Sequence, residues 1–173
     1  RCYGPYKSKL HGAVGSWREQ VRKDFCSNLD PIRSNGLVHD GILSRVEDYF
    51  KDHDYVLDYH DPRLLHGDLR FDNIMVKNGK FMAIIDANDS WSGDPMSDLA
   101  SIYNEFLKQD PSGKKGLMES FDKGYGKVDR ERINFYLVTL WVWGLRFFKL
   151  TEKNKACYGK ILKNLKRFLD EEA

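Results

Sequence analysis

The chain has 173 residues, enough for one hydrophobic core and too few for two ordinary domains. Its 41% hydrophobic and 31% charged residues exclude a disordered tail. A formal net charge of +2, spread without a long basic block, gives no reason to expect nucleic acid or a membrane surface as partner.

Cys2, Cys26 and Cys157 are odd in number and far apart, without zinc-site or disulfide spacing, so a reducing, cytoplasmic setting is expected. The chain starts at Arg1 with no signal-like segment, which reads as a cut inside a longer chain. The most apolar stretch, Ile133 to Leu150, is broken by Asn134, Arg146 and Lys149, and reads as a buried helix rather than a membrane span.

Residues 1–15, rich in Gly, Lys and turn formers, predict an irregular lead-in to a folded unit over 16–173. Ser16 with Glu19 forms a capping-box pattern, and Trp17, Val21 and Phe25 recur at helical spacing, predicting a helix over 16–27 closed by "NLDPIRSNG". Val38, Ile42, Val46 and Phe50 predict a second helix over 38–51. Six acidic residues follow closely, Glu47, Asp48, Asp52, Asp54, Asp58 and Asp61; a solvated face is the expected reading, attraction of a cationic acceptor the other.

Two apolar runs in "NIMVKNGKFMAIID" flank Asn78-Gly79, a strong hairpin signal because both turn residues must accept positive φ. From Pro95 the pattern is helical: 95–107, 114–123, 130–150 and 155–170. The last but one carries Phe135, Tyr136, Trp141, Trp143, Phe147 and Phe148, expected in the core, with one edge free to line a pocket. The predicted fold is mainly α with one small central β-hairpin.

The chemistry gathers at that hairpin. Asp68 and Asn73 lie on the loop entering it, Asp86 at the end of its second strand, and antiparallel pairing brings the two ends together. Carboxylate and amide oxygens suit Mg²⁺, whose shell substrate phosphates usually complete. Taken singly, Asp68, Asp72 and Asn73 are turn formers and Asp86 a loop cap.

Together, "HGDLRFDN" matches the His-x-Asp-x-x-x-x-Asn catalytic loop of kinases, and Ile85-Asp86 stands where the magnesium-binding Asp follows. The run "LLHGDLRFDNIMVKNGKFMAIIDANDSWSGDPMSDLA" resembles the aminoglycoside phosphotransferase and choline kinase superfamily, while Gly67 and the missing Ala-Pro-Glu signature point away from protein kinases. The resemblance implies the C-terminal lobe of a protein-kinase-like fold, with ATP as donor and a small-molecule hydroxyl as acceptor. Asp68 would take or orient the acceptor's proton, and Asn73 and Asp86 would hold Mg²⁺ and the nucleotide phosphates. His66 would order the loop. Asp98 would accept its backbone N–H bonds from the following helix, the alternative being an exposed helical Asp. Asp94 would cap that helix, and Asp89 and Ser90 would face substrate unless they belong to a plain exposed loop.

No glycine-rich Gly-x-Gly-x-x-Gly loop precedes the motif. The expectation is therefore a catalytic lobe, inactive alone, whose N-terminal lobe is missing and belongs to the same protein. The competing readings are a kinase-like binding or scaffold module without turnover and, less favoured for want of a second His cluster, a metal-dependent hydrolase using His66, Asp68 and Asp86.

Overall fold

The computed structural model describes residues 3–8, 11–109, 111–150 and 155–172, with side chains from residue 15 onward except at 111–114, 149 and 150. In chain order the elements are β1 (Tyr3–Ser8), β2 (His11–Val14), α1 (Trp17–Ser34), α2 (Asp40–Asp52), β3 (Arg63–Leu65), β4 (Ile74–Lys77), β5 (Lys80–Ile84), β6 (Trp91–Gly93), α3 (Met96–Leu107), α4 (Pro111–Tyr125), α5 (Arg130–Leu150) and α6 (Lys155–Glu171). Short 3-10 turns cover Asp54–Leu57 and Phe71–Asn73. The fold is mainly α with the expected hairpin, β4–β5, turned by Asn78 and Gly79 at φ 52° and 71°.

Two expectations need correction. Residues 1–15 are not irregular throughout: β1 and β2 pair with each other, and with β6 and β3 they form a second, antiparallel sheet in the order β2-β1-β6-β3. The first helix does not close at residue 27 but continues through Pro31 to Ser34. Pro31 forfeits one backbone bond, yet Leu29 and Ile32 extend the buried stripe of Val21 and Phe25, and that burial holds the helix together. Its end is a Schellman motif: Gly36 at φ 58° donates to the Arg33 carbonyl, and Leu37 N–H reaches back to Ile32.

The chain divides into two compact units, residues 1–17 with 59–137, and residues 18–58 with 138–173. In the second, Phe25 stacks on Phe50 with centroids 3.9 Å apart, and Phe168 meets both Tyr49 and Trp141 edge-on. A β-carbon on Gly144 would lie 2.8 Å from Ile161, so α5 and α6 touch nearly backbone to side chain. The acidic run is largely neutralised here: Arg18 pairs with Asp54 and Asp58, Arg22 with Asp54, and Arg33 with Glu47. Along α5, Phe135, Tyr136 and Trp141 are buried, whereas Trp143 and Phe147 stack on each other half-exposed.

In the first unit, Trp17 lies under Gly93, where a β-carbon would fall 2.1 Å from the indole. Its Nε1–H donates to the Tyr136 hydroxyl at 2.6 Å. Phe106 on α3 meets Phe121 on α4 and Phe71 of the loop before the hairpin. Tyr103 donates to Asp122, which also pairs with Arg130; burial, and then the Asp122 bond, push the Tyr103 hydroxyl pKa far up. No helix among the described residues is long and apolar enough to cross a membrane.

Candidate active site

β3 pairs with β6 so that Leu65, at the end of β3, stands opposite Trp91. The chain beyond β6 turns at Asp94-Pro95 into α3, whose first turn carries Asp98 back to the loop that leaves β3. Asp98 accepts the His66 N–H at 2.7 Å and the Gly67 N–H at 3.0 Å. Asp98 is partly buried, and both of its carboxylate oxygens are engaged by the backbone of that loop. Burial raises the Asp98 pKa, and the two backbone bonds only partly oppose it.

His66 ties the loop to the hairpin. Its Nδ1 accepts the Asp68 N–H at 3.3 Å and its Nε2 lies 2.8 Å from the Ile85 carbonyl oxygen, a pattern that assigns the proton to Nε2. Asn73, 6% exposed, turns its amide nitrogen to the Asp68 carbonyl at 2.8 Å and to Asp68 Oδ2 at 3.3 Å. The Ile85 N–H donates to the Asn73 carbonyl at 2.9 Å, one residue before Asp86. The open end of the hairpin thus gathers Asp68, Asn73 and the backbone entering Asp86.

Asp86 is held at φ 62°, a left-handed conformation that costs a non-glycine residue energy, and Asn88 donates to its Oδ1 at 2.7 Å. Asp89 is exposed, and Ser90 spends its hydroxyl on the Ala87 carbonyl within its own turn.

The oxygens left over suit a hard cation. Asn73 commits its nitrogen to Asp68, so the amide oxygen remains to accept, and Asp86 keeps a second carboxylate oxygen beyond the one Asn88 binds. Among the described residues no group of three or more His, Cys, Asp or Glu could hold a metal ion by itself.

Asp94 does more than cap. Fully buried, it accepts the Met96 N–H at 2.9 Å, Arg132 Nε at 2.8 Å and the Tyr136 hydroxyl at 2.8 Å. Burial lowers the Arg132 pKa, but the Asp94 bond and charge outweigh it. Burial, with the Asp94 charge behind it, raises that of Tyr136. Sequence reading missed Arg132, which lies 38 residues from its partner and has no local signal. It also passed over Arg70, whose Nε lies 3.0 Å from Asp68 Oδ1, although a cation two residues from a candidate base is a readable cue.

A helical body around a small hairpin, with an Asp and an Asn facing each other on the entering loop and a second Asp where the second strand ends beside them, is the C-terminal lobe of a kinase-like fold. The profile of the phosphotransferase enzyme family, APH, matches residues 17–136, and the chain belongs to that family. An aminoglycoside 3'-phosphotransferase of Escherichia coli is 31% identical over 78 residues, covering 45% of this chain and 28% of that enzyme. The fold is similar to a thermostable mutant of aminoglycoside phosphotransferase APH(4)-Ia in ternary complex with ADP and hygromycin B, with a TM-score of 0.75 and 18% identity over 99% of this chain and 57% of that one. The gentamicin complex of APH(2")-IIa gives a TM-score of 0.56 and 20% identity over 88% of this chain and 52% of that one. The chain thus spans little more than half the length of these solved structures.

Proposed function

We propose that the protein is a magnesium- and ATP-dependent small-molecule kinase, and that this chain carries its catalytic loop. The observation that carries the reading is the contact of Asn73 with Asp68 at the open end of the hairpin, on a loop that Asp98 holds by two backbone N–H groups. The acceptor is a small hydroxyl compound such as an aminoglycoside, an amino alcohol or a sugar. The named relatives support it, since two solved neighbours hold hygromycin B or gentamicin and one of them ADP.

In this reading Asp68 orients the acceptor hydroxyl and takes its proton as the oxygen bonds to the γ-phosphorus and the bond to the β-phosphate oxygen breaks, releasing ADP. Asn73 and Asp86 would hold the metal, offering one amide and one carboxylate oxygen. Magnesium, when bound, neutralises charge on the phosphates. His66 and Asp98 fix the loop, so positioning carries much of the catalysis. Asp89 and Ser90 stand at the acceptor's side. The glycine-rich loop and phosphate-binding Lys of such kinases would come from a separate N-terminal lobe, in keeping with a chain that spans little more than half of the solved relatives.

The test is ATP consumption by the full-length protein with a panel of hydroxyl acceptors, alongside Asp68→Asn. Turnover that falls about 10² to 10⁴-fold in the variant supports the reading. Nucleotide binding without turnover on any acceptor would favour a kinase-like binding module instead.

A further inference from the structure

We infer that Phe71 is a positioning residue for Asn73: its ring, docked on the last turn of α3, fixes the turn that presents the Asn73 amide oxygen. The inference rests on the phosphotransferase reading above and adds a residue that the loop motif leaves unspecified.

One helix meets the loop at both ends. In the first turn of α3, Asp98 takes the N–H groups of His66 and Gly67 and fixes the loop's entrance beside Asp68. In the last turn Phe106, 3% exposed, carries the ring of Phe71 with centroids 5.6 Å apart and planes tilted by 60°, within the range of favourable aromatic pairs. From Asp98 to Phe106 the helix rises about 12 Å, a length that side-chain motion does not change. The second anchor is itself braced, since Phe106 meets Phe121 of α4 at 5.6 Å and Tyr103 of its own helix at 5.7 Å.

Phe71 passes this hold to Asn73 through one tight turn. The Asn73 N–H donates to the Arg70 carbonyl at 3.0 Å and the Ile74 N–H to the Phe71 carbonyl, so Asn73 is bonded through the backbone on both sides. Arg70 and Asp72 are exposed, which leaves Phe71 as the side chain that ties the front of this turn to the helices. Asn73 commits its amide nitrogen to Asp68, so the place of its oxygen follows the place of the turn. Without the Phe71 ring the entrance of the loop stays on Asp98 while the turn before Asn73 loses its anchor. Magnesium demands near-ideal octahedral geometry, and a drifting amide oxygen is a poor ligand for it. Loss of the ring therefore acts on the metal-dependent part of nucleotide binding.

The experiment compares the full-length wild type with Phe71→Ala, Phe71→Leu and Phe71→Tyr, and with Phe25→Leu, which loosens the stacked pair in the second unit instead. Calorimetry measures AMP-PNP binding with and without Mg²⁺, and amide hydrogen exchange is followed at Asn73 and Ile74. Phe71→Ala should weaken Mg²⁺-dependent binding about tenfold, change binding without Mg²⁺ by less than about twofold, and speed exchange at both amides. Phe71→Tyr keeps the ring and should restore most of the loss, whereas Phe71→Leu should restore only part. Phe25→Leu should keep the wild-type Mg²⁺ dependence whatever it does to the melting temperature. Equal weakening with and without Mg²⁺, the same selective loss in Phe25→Leu, or unchanged exchange at Asn73 and Ile74 would overturn the inference and leave the kinase reading standing. Wild-type protein that binds AMP-PNP no better with Mg²⁺ than without it would overturn both.

Discussion

Gly67 approaches Asp89 so closely that a β-carbon on it would lie 2.1 Å from the Asp89 carbonyl oxygen. The turn after Asp86 is therefore folded directly over the loop that carries His66 and Asp68. Gly67 also sits at φ 84°, which a side chain resists. Gly67→Ala must displace backbone and should cost more than about 2 kcal/mol. Chemical denaturation checks this, and stability equal to wild type would show that the turn yields freely.

Asp98 gives a pH signature. Its pKa is raised in the folded chain, so folding favours the protonated carboxyl. The stability it contributes is fully present below the ordinary carboxylate pKa and is lost as pH rises through the raised folded value. Asp98→Asn, which offers one acceptor oxygen in place of two, should be less stable by about 1 to 3 kcal/mol. The difference from wild type should be largest at acid pH and shrink toward neutrality, as urea titrations between acid and neutral pH would show.

As the proposed metal ligand, Asp86 is held at a cost in backbone strain. Its left-handed φ of 62° suits glycine better, so Asp86→Gly should gain up to about 1 kcal/mol, or a melting temperature higher by about 2 to 4 °C. The same change should abolish magnesium-dependent nucleotide binding in the full-length protein. A thermal melt and a binding titration on one preparation test both halves, and a lower melting temperature would show that the Asn88 bond outweighs the strain.

Arg132 neutralises a carboxylate with no solvent exposure. Arg132→Met leaves the Asp94 charge buried with hydrogen bonds but no counter-ion, and should destabilise by about 3 to 5 kcal/mol. Adding Asp94→Asn to Arg132→Met should restore part of the loss. A double-mutant cycle by denaturation measures this, and additive losses would mean that the two residues act independently.

The helices and the hairpin were legible because each repeats an apolar residue at its own period and is bounded by Asn, Gly or Pro. The meeting of Asp68, Asn73 and the strand end before Asp86 was legible because the three stand at fixed spacing around a turn that sequence also marks. The second sheet was not, since β6 is three residues long and β1 holds Gly4 and Pro5 where an alternating pattern would be read. The end of α1 was misplaced because Pro31 is a local breaker, while the burial of Ile32 that overrides it is a property of the packed unit. The bonds from Arg132 and Tyr136 to Asp94 join segments distant in sequence, and no window along the chain contains both ends.

The hairpin also bears on how the chain behaves in a tube. Val76, Phe81 and Met82 are 61%, 64% and 59% exposed on a two-stranded ribbon, and each strand has one rim of peptide groups outside the ladder. Such a ribbon is a template for another strand, and Lys77 and Lys80 on either side of the turn put like charges where two ribbons would meet. Pairing of two such ribbons is then a balance between open peptide rims with apolar faces and lysine repulsion. Raising the salt concentration screens the lysines and leaves the grease untouched, so light scattering should climb with ionic strength.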